Sequence, residues 1–163
     1  MWAFIATWDF ALQAAQKAAE LLKQGADAMD AAEQGIHLVE SDPTVQTVGR
    51  GAFLNANGEL ELDAAVMDGN TMKMGVVAGV KGFEHPVTIA RAVMEKSKHN
   101  ILVGKGAEEF ADKMGIERAS DERMILPAAR KFYEENIAKI NEEIKKQAEE
   151  AGLEEGAPDV TTE

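Results

Sequence analysis

The spacing of apolar and polar residues along the chain predicts an alternation of strands and helices. Trp2 to Thr7 is a short apolar run rich in β-forming residues, which is typical of a buried strand. Asp9 stands where it can cap a following helix, whose apolar residues recur at helical spacing until Gly25. A second helix begins after Asp27 as N-cap, with Asp30 three residues further on. The apolar stripe of that helix consists of Met29, Ala32, Ile36 and Val39.

The middle of the chain predicts a loop followed by a hairpin. Residues 40–57 hold two glycines, one proline and few periodic apolar residues, which indicates an ordered but irregular loop. Asp68-Gly69-Asn70 then marks a chain reversal into a second strand from Lys73 to Val80. That second strand is apolar on both faces, as a strand covered on both sides would be. The first strand alternates, with Leu60, Leu62, Ala64 and Val66 on one face and Glu59, Glu61 and Asp63 on the other.

The remaining pattern completes an α/β chain. Pro86 suits the first position of a helix that runs to about Lys96, and 100–104 is another apolar strand, followed by a short helix over 107–114. We therefore expect helices stacked on a mixed sheet. Residues 121–150 carry a narrow apolar seam among charges, which indicates a surface helix or a two-helix contact. Residues 151–163 have too few apolar side chains to repay ordering, and we expect a disordered tail. The seam comprises Ile137, Ile140, Ile144 and Ala148.

Composition narrows the range of functions. A chain of 163 residues fits one domain with a substantial core. A net charge of −12 argues against binding to nucleic acid or an anionic membrane, which requires clustered Lys and Arg, and it leaves small polar substrates and protein partners. The absence of cysteine excludes disulfides, a thiolate zinc site and a cysteine nucleophile. The sequence shows neither a membrane span nor a basic signal-peptide region, and it leaves the compartment open.

Side chains able to perform chemistry alone are scarce. His37, His85 and His99 are far apart and lack i,i+4 pairing, so buried or exposed single histidines are favoured over a metal site. Residues 68–70 resemble the start of a calcium loop but lack its later Gly and Glu, which favours a turn. Gly104 and Gly106 favour an ordinary strand-to-helix turn over an anion cradle.

Two carboxylates stand apart from the helix surfaces. The strand and turn context of Asp63 and Asp68 suits hydrogen bonding to backbone amides more than general acid catalysis. The sequence has no GxSxG elbow and no recognisable Ser-His-Asp arrangement. From its residues alone, the chain is an acidic α/β domain without an identifiable nucleophile.

Four segments, collinear over about residues 5–115, carry a specific pattern. They are IATWDF from Ile5, GADAMDAAEQGIHLVESDPTVQTVGRG from Gly25, LDAAVMDGNTMKMGVVAGV from Leu62 and HPVTIARAVMEKSKHNILVGKGAEEFADKMG from His85. Together they resemble the glycosylasparaginase and isoaspartyl peptidase (plant-type L-asparaginase) family of N-terminal-nucleophile hydrolases. In that family a precursor cuts itself before a threonine, which becomes the N-terminal nucleophile of a β subunit. This chain resembles the α subunit.

The resemblance implies an αββα sandwich, of which residues 1–150 form the α-subunit half. It also implies a β subunit from the same precursor, an (αβ)2 assembly and a catalytic Thr on the β chain, so this chain would hold no catalytic residue. Residues 151–163 would be a processing linker, which has to be mobile and exposed. Relatives usually have Asp or Gly before the threonine, whereas this sequence ends in Glu163. The position of the cut is therefore left open.

The resemblance also assigns residues to the substrate site. Trp8 and Phe10 match a signature in which the Trp walls the substrate pocket, the alternative being a core aromatic at a strand end. Arg50, between two glycines, can reach the pocket rim or an acidic partner, and a surface ion pair is the favoured use. Asp63, Asp68 and Gly69 become structural members of a family signature.

A structural sodium ion is the one cofactor that the resemblance suggests. In relatives, the region corresponding to Glu40–Gly51 binds sodium through backbone carbonyls. The corresponding residues here are Glu40, Val45, Thr47 and Gly49. Carbonyl ligands have no side-chain code, so the sequence alone cannot test this expectation.

The predicted function is hydrolysis of the side-chain amide of an asparagine derivative. The Thr-Trp pair and the five residues between Pro43 and Gly49 favour a glycosylasparaginase, that is, an N4-(β-N-acetylglucosaminyl)-L-asparaginase. The stretch GAFLNANGELELDA is closer to isoaspartyl peptidases and L-asparaginases, which remain the alternative. A hypothesis of another class is a non-catalytic structural or binding subunit.

Overall fold

A computed structural model describes residues 1–150 and 152, and it confirms an α/β chain. The tail predicted over 151–163 lies outside the described residues, apart from Gly152. Two short 3₁₀ turns cover Asp9–Ala11 and Gly49–Gly51. None of the helices in the described part of the chain combines the length and apolar character needed to cross a bilayer. The main elements are α1 (Leu12–Lys23), α2 (Ala28–Glu40), β1 (Leu62–Asp68), β2 (Lys73–Val80), α3 (Pro86–Lys96), β3 (Ile101–Val103), α4 (Gly104–Lys113), α5 (Asp121–Met124) and α6 (Pro127–Glu150).

The N-terminal strand prediction is wrong for this structure. Trp2–Thr7 forms no strand and is mostly exposed. An apolar β-forming run becomes a strand only when a neighbouring strand offers its backbone groups, and the three described strands pair only with one another. The cap position is held by Trp8, one residue before the predicted Asp9. Asp9 is the first residue of the 3₁₀ turn, and its Oδ1 accepts a hydrogen bond from the Phe10 amide at 2.8 Å.

The helical hairpin of α1 and α2 follows its sequence signals. α1 ends two residues before Gly25, and Asp27 caps α2 by accepting the amide of Asp30 at 2.8 Å. Small buried side chains, Ala14, Ala18 and Ala31, let the two helices approach closely. The predicted apolar stripe of α2 is only partly buried, and the fully buried positions of α2 include two carboxylates, Glu33 and Glu40.

The sheet is mixed, with β2 in the middle. β1 pairs with β2 antiparallel, placing Ala65 opposite Val76, and β2 pairs with β3 parallel, placing Val76 opposite Ile101. One face packs on α3 and α4 around Val77, Ile89 and Val93. The close approach of α3 requires glycine at position 75, because a Cβ there would overlap the carbonyl oxygen of Ala90.

The other face of the sheet is apolar and open among the described residues. Met67, Ile101 and Val103 are 53%, 55% and 61% exposed. The sequence predicted β2 to be covered on both sides, and the described chain covers only one. We call this surface the open sheet face; it comprises Ala65, Met67, Met74, Val76, Ala78, Ile101 and Val103.

The charged C-terminal region forms two helices, α5 and α6, whose side chains are mostly exposed. Pro127 disfavours helical geometry at the residue before it and so separates the two helices. The first turns of α6 dock on the loop before β1, where the Tyr133 hydroxyl donates to the Ala56 carbonyl at 3.0 Å. The Phe132 ring lies 4.9 Å from that of Phe53. Further along, the seam of α6 is exposed at Ile140 and Ile144.

Candidate functional site

A cleft of about 370 Å³ lies between the loop that follows α2 and the beginning of β1. Thr47 and Gly49 line it from the loop, Asp63 from the strand side, and Glu40 from the end of α2. Three of the four residues predicted to bind sodium therefore share one concave surface. The fourth, Val45, is buried inside the loop.

The loop between Glu40 and Gly49 closes on itself. Gly49 has φ of 65°, and a Cβ on it would overlap the carbonyl oxygen of Glu40. Asp42 Oδ1 accepts the amide of Thr44 at 2.8 Å, and the Ala52 amide donates to the Gly49 carbonyl at 3.1 Å. Among the described residues, no hydrogen bond ends on the carbonyl oxygens of Glu40, Val45 and Thr47. These three carbonyl oxygens thus have no hydrogen-bond partner in the described part of the chain, and oxygen is the ligand type that hard cations prefer.

The aromatic pair assigned to the pocket lies apart from this cleft. The rings of Trp8 and Phe10 stack with centroids 6.0 Å apart, and Trp8 is 68% exposed. Trp8 is thus an exposed aromatic among the described residues. Neither ring is among the residues that line the cleft.

Arg50 lies in the 3₁₀ turn Gly49–Gly51, between two buried glycines. Within the described residues it makes no ion pair, so the surface ion pair that the sequence favoured is not found there. Its Nε is buried without a hydrogen-bond partner, which shows that part of the side chain points into the structure.

Asp63 and Asp68, the two signature carboxylates, accept hydrogen bonds within the β1–β2 hairpin. Asp63 Oδ1 accepts the amide of Gly79 at 2.8 Å across the irregular end of the β1–β2 ladder. Asp68 accepts Thr71 Oγ1 at 2.7 Å and the Asn70 amide at 2.9 Å, and these hydrogen bonds lower the pKa of Asp68. Both carboxylates position backbone in a structural role.

A network of polar side chains between α2 and α3 was not predicted. We call it the α2–α3 cluster. Its α2 members recur at helical spacing and so share one face, and the α3 members oppose them. The apolar stripe predicted for α2 lies one residue before each of these α2 positions. The histidines were predicted to be separate because they are far apart in sequence, and only the fold brings His37 and His85 together. The cluster comprises Glu33, His37, Glu40, His85, Thr88 and Arg91.

Arg91 anchors one end of the cluster. Its Nη1 donates to Glu33 Oε2 at 2.6 Å and to Asp30 Oδ1 at 2.7 Å, and its Nε donates to Glu95. Thr88 Oγ1 donates to the other oxygen of Glu33 at 2.7 Å. Burial alone would raise the pKa of Glu33, but the hydrogen bonds from Thr88 and Arg91 and the charge of Arg91 lower it.

The two histidines occupy the other end. The rings of His37 and His85 stack with centroids 4.0 Å apart. His85 Nδ1 lies 3.0 Å from Glu40 Oε2, and the Val87 amide donates to Glu40 Oε1 at 3.1 Å. Burial and the neighbouring His85 lower the pKa of His37, while burial raises the pKa of Glu40. The lower pKa favours the neutral form of His37, which keeps a nitrogen lone pair.

Comparisons with known proteins agree with the α/β fold. A family model described as "Asparaginase" matches residues 6–161. The chain belongs to this asparaginase family. It is 41% identical over 122 residues, covering 75% of this chain and 37% of the relative, to the isoaspartyl peptidase/L-asparaginase of Mus musculus.

Two further relatives carry different names. The chain is 40% identical over 131 residues to the N(4)-(beta-N-acetylglucosaminyl)-L-asparaginase of Elizabethkingia miricola, covering 80% of this chain and 37% of that protein. It is 46% identical over 95 residues to the plant-type L-asparaginase of Pyrococcus abyssi (strain GE5 / Orsay), covering 58% and 30%. The chain thus spans between 30 and 37% of the length of these relatives.

Replacing Arg91 with Met should destabilise the fold by about 2–3 kcal/mol at pH 7, because Glu33 would remain buried without its cation. Since the folded pKa of Glu33 lies below its usual value of 4.5, the stabilisation is present above pH 4.5 and is lost as the pH falls through the folded pKa. Urea unfolding at several pH values measures both effects. Lys17→Met, at an exposed pair with Glu20, should cost under about 0.5 kcal/mol. Equal losses in the two variants would contradict this account.

Proposed function

We propose that this chain is the α subunit of an autoprocessed N-terminal-threonine amidohydrolase that cleaves the side-chain amide of asparagine derivatives. The match of residues 6–161 to the asparaginase family is the observation that carries the proposal. The names of the relatives support a hydrolase that acts on asparagine or β-aspartyl amides. The catalytic threonine belongs to a separate β chain from the same precursor.

The open sheet face supports a partner chain. Exposed Met67, Ile101 and Val103 form a contiguous apolar surface. Contact of such a surface with water is unfavourable, and a further layer packed on it would remove that contact. We propose that the β subunit supplies this layer, which completes an αββα sandwich and leads to an (αβ)2 assembly.

The proposed reaction begins with attack by the threonine hydroxyl on the amide carbon. The α-amine of the same residue, with a pKa of roughly 7.7–8, takes the hydroxyl proton. The tetrahedral intermediate collapses as the C–N bond breaks and the leaving amine takes a proton, which leaves a β-aspartyl ester on the threonine. Water then attacks the ester carbon, releases aspartate and restores the hydroxyl. Since backbone cleavage creates the α-amine, activity requires processing.

This chain contributes binding surface and support to that reaction. Trp8 and Phe10 present a stacked aromatic surface, which we assign to the wall of the substrate pocket. Among substrates we favour the glycosylated asparagine of a glycosylasparaginase, on the strength of the Thr7-Trp8 pair and the spacing between Pro43 and Gly49. Isoaspartyl peptidase or L-asparaginase activity is the alternative, favoured by the segment Gly51–Ala64.

The loop from Glu40 to Gly49 is proposed to bind sodium. The unbonded carbonyl oxygens of Glu40, Val45 and Thr47 fit such an ion, and the Gly49 carbonyl retains a second lone pair beside its bond from Ala52. The ion would steady the loop and the adjacent cleft. It would take no part in the chemistry.

The first experiment is intact mass spectrometry with N-terminal sequencing of the purified native protein. We expect a second chain that begins with Thr, and hydrolysis of N4-(β-N-acetylglucosaminyl)-L-asparagine faster than of β-aspartyl dipeptides or L-asparagine. Faster cleavage of the dipeptides or of L-asparagine would support the alternative. A native protein without such a chain and without amidohydrolase activity would leave the structural or binding hypothesis.

Trp8→Ala should raise KM for the preferred substrate at least tenfold, because the variant loses the aromatic surface against which the substrate packs. Trp2→Ala removes another exposed tryptophan outside the assigned pocket and is the matched control. Steady-state kinetics of the processed enzyme measure both. Similar KM values for the two variants would remove Trp8 from the pocket.

Exchanging Na⁺ for tetramethylammonium at constant ionic strength should lower the melting temperature by about 2–4 °C, since a ligand of the folded state stabilises it by mass action. Restoring Na⁺ should restore the melting temperature. Differential scanning calorimetry makes the comparison. An unchanged melting temperature would count against the sodium loop.

A further inference from the structure

The α2–α3 cluster contains three metal-ligating side chains that are distant in sequence. One ligand atom from each of His37, Glu40 and His85 lies within 4.8 Å of the others. Two come from α2 and one from the residue that precedes α3. We propose that these three side chains bind a divalent transition-metal ion, with Zn²⁺ the best fit, and that the ion joins α2 to α3.

The donor set selects the class of metal. Two imidazoles and one carboxylate suit Zn²⁺ and its first-row neighbours, whereas Mg²⁺ and Ca²⁺ prefer oxygen ligands throughout. Zinc sites with three protein ligands of this kind leave a fourth position for water. This site is distinct from the sodium loop, which uses backbone carbonyls, although Glu40 belongs to both through different atoms.

The hydrogen bonds around His37 prepare it to coordinate. Thr88 has a single hydroxyl proton and donates it to Glu33, so Thr88 Oγ1 accepts from His37 Nε2 at 2.8 Å. The proton of a neutral His37 is thereby placed on Nε2, and the Nδ1 lone pair has no partner among the described residues. Metal-binding histidines commonly donate their other N–H to such an outer group, which fixes the tautomer.

The ligand atoms lie near one another without an ion. Tetrahedral zinc with bonds of 2.0–2.1 Å places its ligands roughly 3.4 Å apart. His85 Nδ1 and Glu40 Oε2 are 3.0 Å apart, and the Val87 amide holds the Glu40 carboxylate in place. The His37 and His85 rings stack at an interplanar angle of 26°, so metal binding requires one ring to rotate until both lone pairs point at the ion. The two side chains are 23% and 29% exposed, which leaves room for this rotation and for entry of the ion from solvent.

The competing account is a hydrogen-bonded clasp without metal. In that account His85 Nδ1 carries a proton that it donates to Glu40, and no ion is needed. Binding of Zn²⁺ displaces protons from its ligands and therefore weakens as the pH falls. Only the metal proposal predicts stoichiometric metal binding that depends on the two histidines. This binding can be measured without reference to enzyme activity.

The decisive experiment is calorimetric titration of ZnCl₂ into chelator-treated purified protein, with any chain that copurifies. We expect one Zn²⁺ per copy of this chain, with a Kd of about 1 μM or lower. His37→Asn and His85→Asn should each weaken binding at least tenfold. His99→Asn, at the exposed third histidine, is the matched control and should bind as the wild type does. Absence of stoichiometric binding, or binding unaffected by the His37 and His85 variants, would overturn the proposal.

X-ray absorption at the zinc edge of the wild-type protein tests the same site without any substitution, which protects against a variant that fails to fold. The expected spectrum shows two imidazole ligands and additional oxygen. A shell containing only oxygen would overturn the proposal.

Thr88→Val should weaken Zn²⁺ binding by about 10–100-fold through loss of the outer hydrogen bond to His37. A merely structural threonine would change the melting temperature of the metal-free protein and leave the Zn²⁺ affinity as it was.

Discussion

The burial of two carboxylates between α2 and α3 is the constraint on which the rest of the chain depends. A carboxylate removed from water costs several kcal/mol unless its lone pairs are met by donors. Glu33 meets Arg91 and Thr88, and Glu40 meets His85 and the Val87 amide. These bonds are directional, so they fix both the rotation of α2 and its register along α3, which apolar contacts alone would do less strictly.

The register of α2 along α3 fixes the position of α2 relative to the sheet and to the loop that follows α2. The opposite side of α3 packs Ile89, Ala90 and Val93 against β2, where Gly75 lets the helix approach the strand. The end of α2 is the start of the loop that lines the cleft, and Glu40 supplies the side chain for the cluster and the carbonyl for the loop. A displacement at the cluster would therefore move the cleft wall.

Prediction from sequence succeeded where a local pattern decides local structure. Asp27 as N-cap, Pro86 at the start of α3 and the turn after Asp68 are each set by neighbouring backbone chemistry, and each lies where it was expected. The strand at Trp2–Thr7 failed because a strand needs a partner that its own sequence does not specify. The α2–α3 cluster was missed for a related reason. Its α2 half was visible as Glu33, His37 and Glu40 at helical spacing, but their partners are some 50 residues away.

The open sheet face explains why the α2–α3 cluster and the hairpin carboxylates are important for the geometry of the described chain. Much of a layered domain's stability comes from burying both faces of its sheet, and the described residues bury one. Because the described residues leave the second face open, polar contacts hold a larger share of the sheet geometry. The Asp63 bond to Gly79 fixes the edge of the hairpin, and the ion pair of Glu33 with Arg91 fixes the helix behind it. These directional contacts hold the hairpin and α3 in the arrangement that forms the open sheet face.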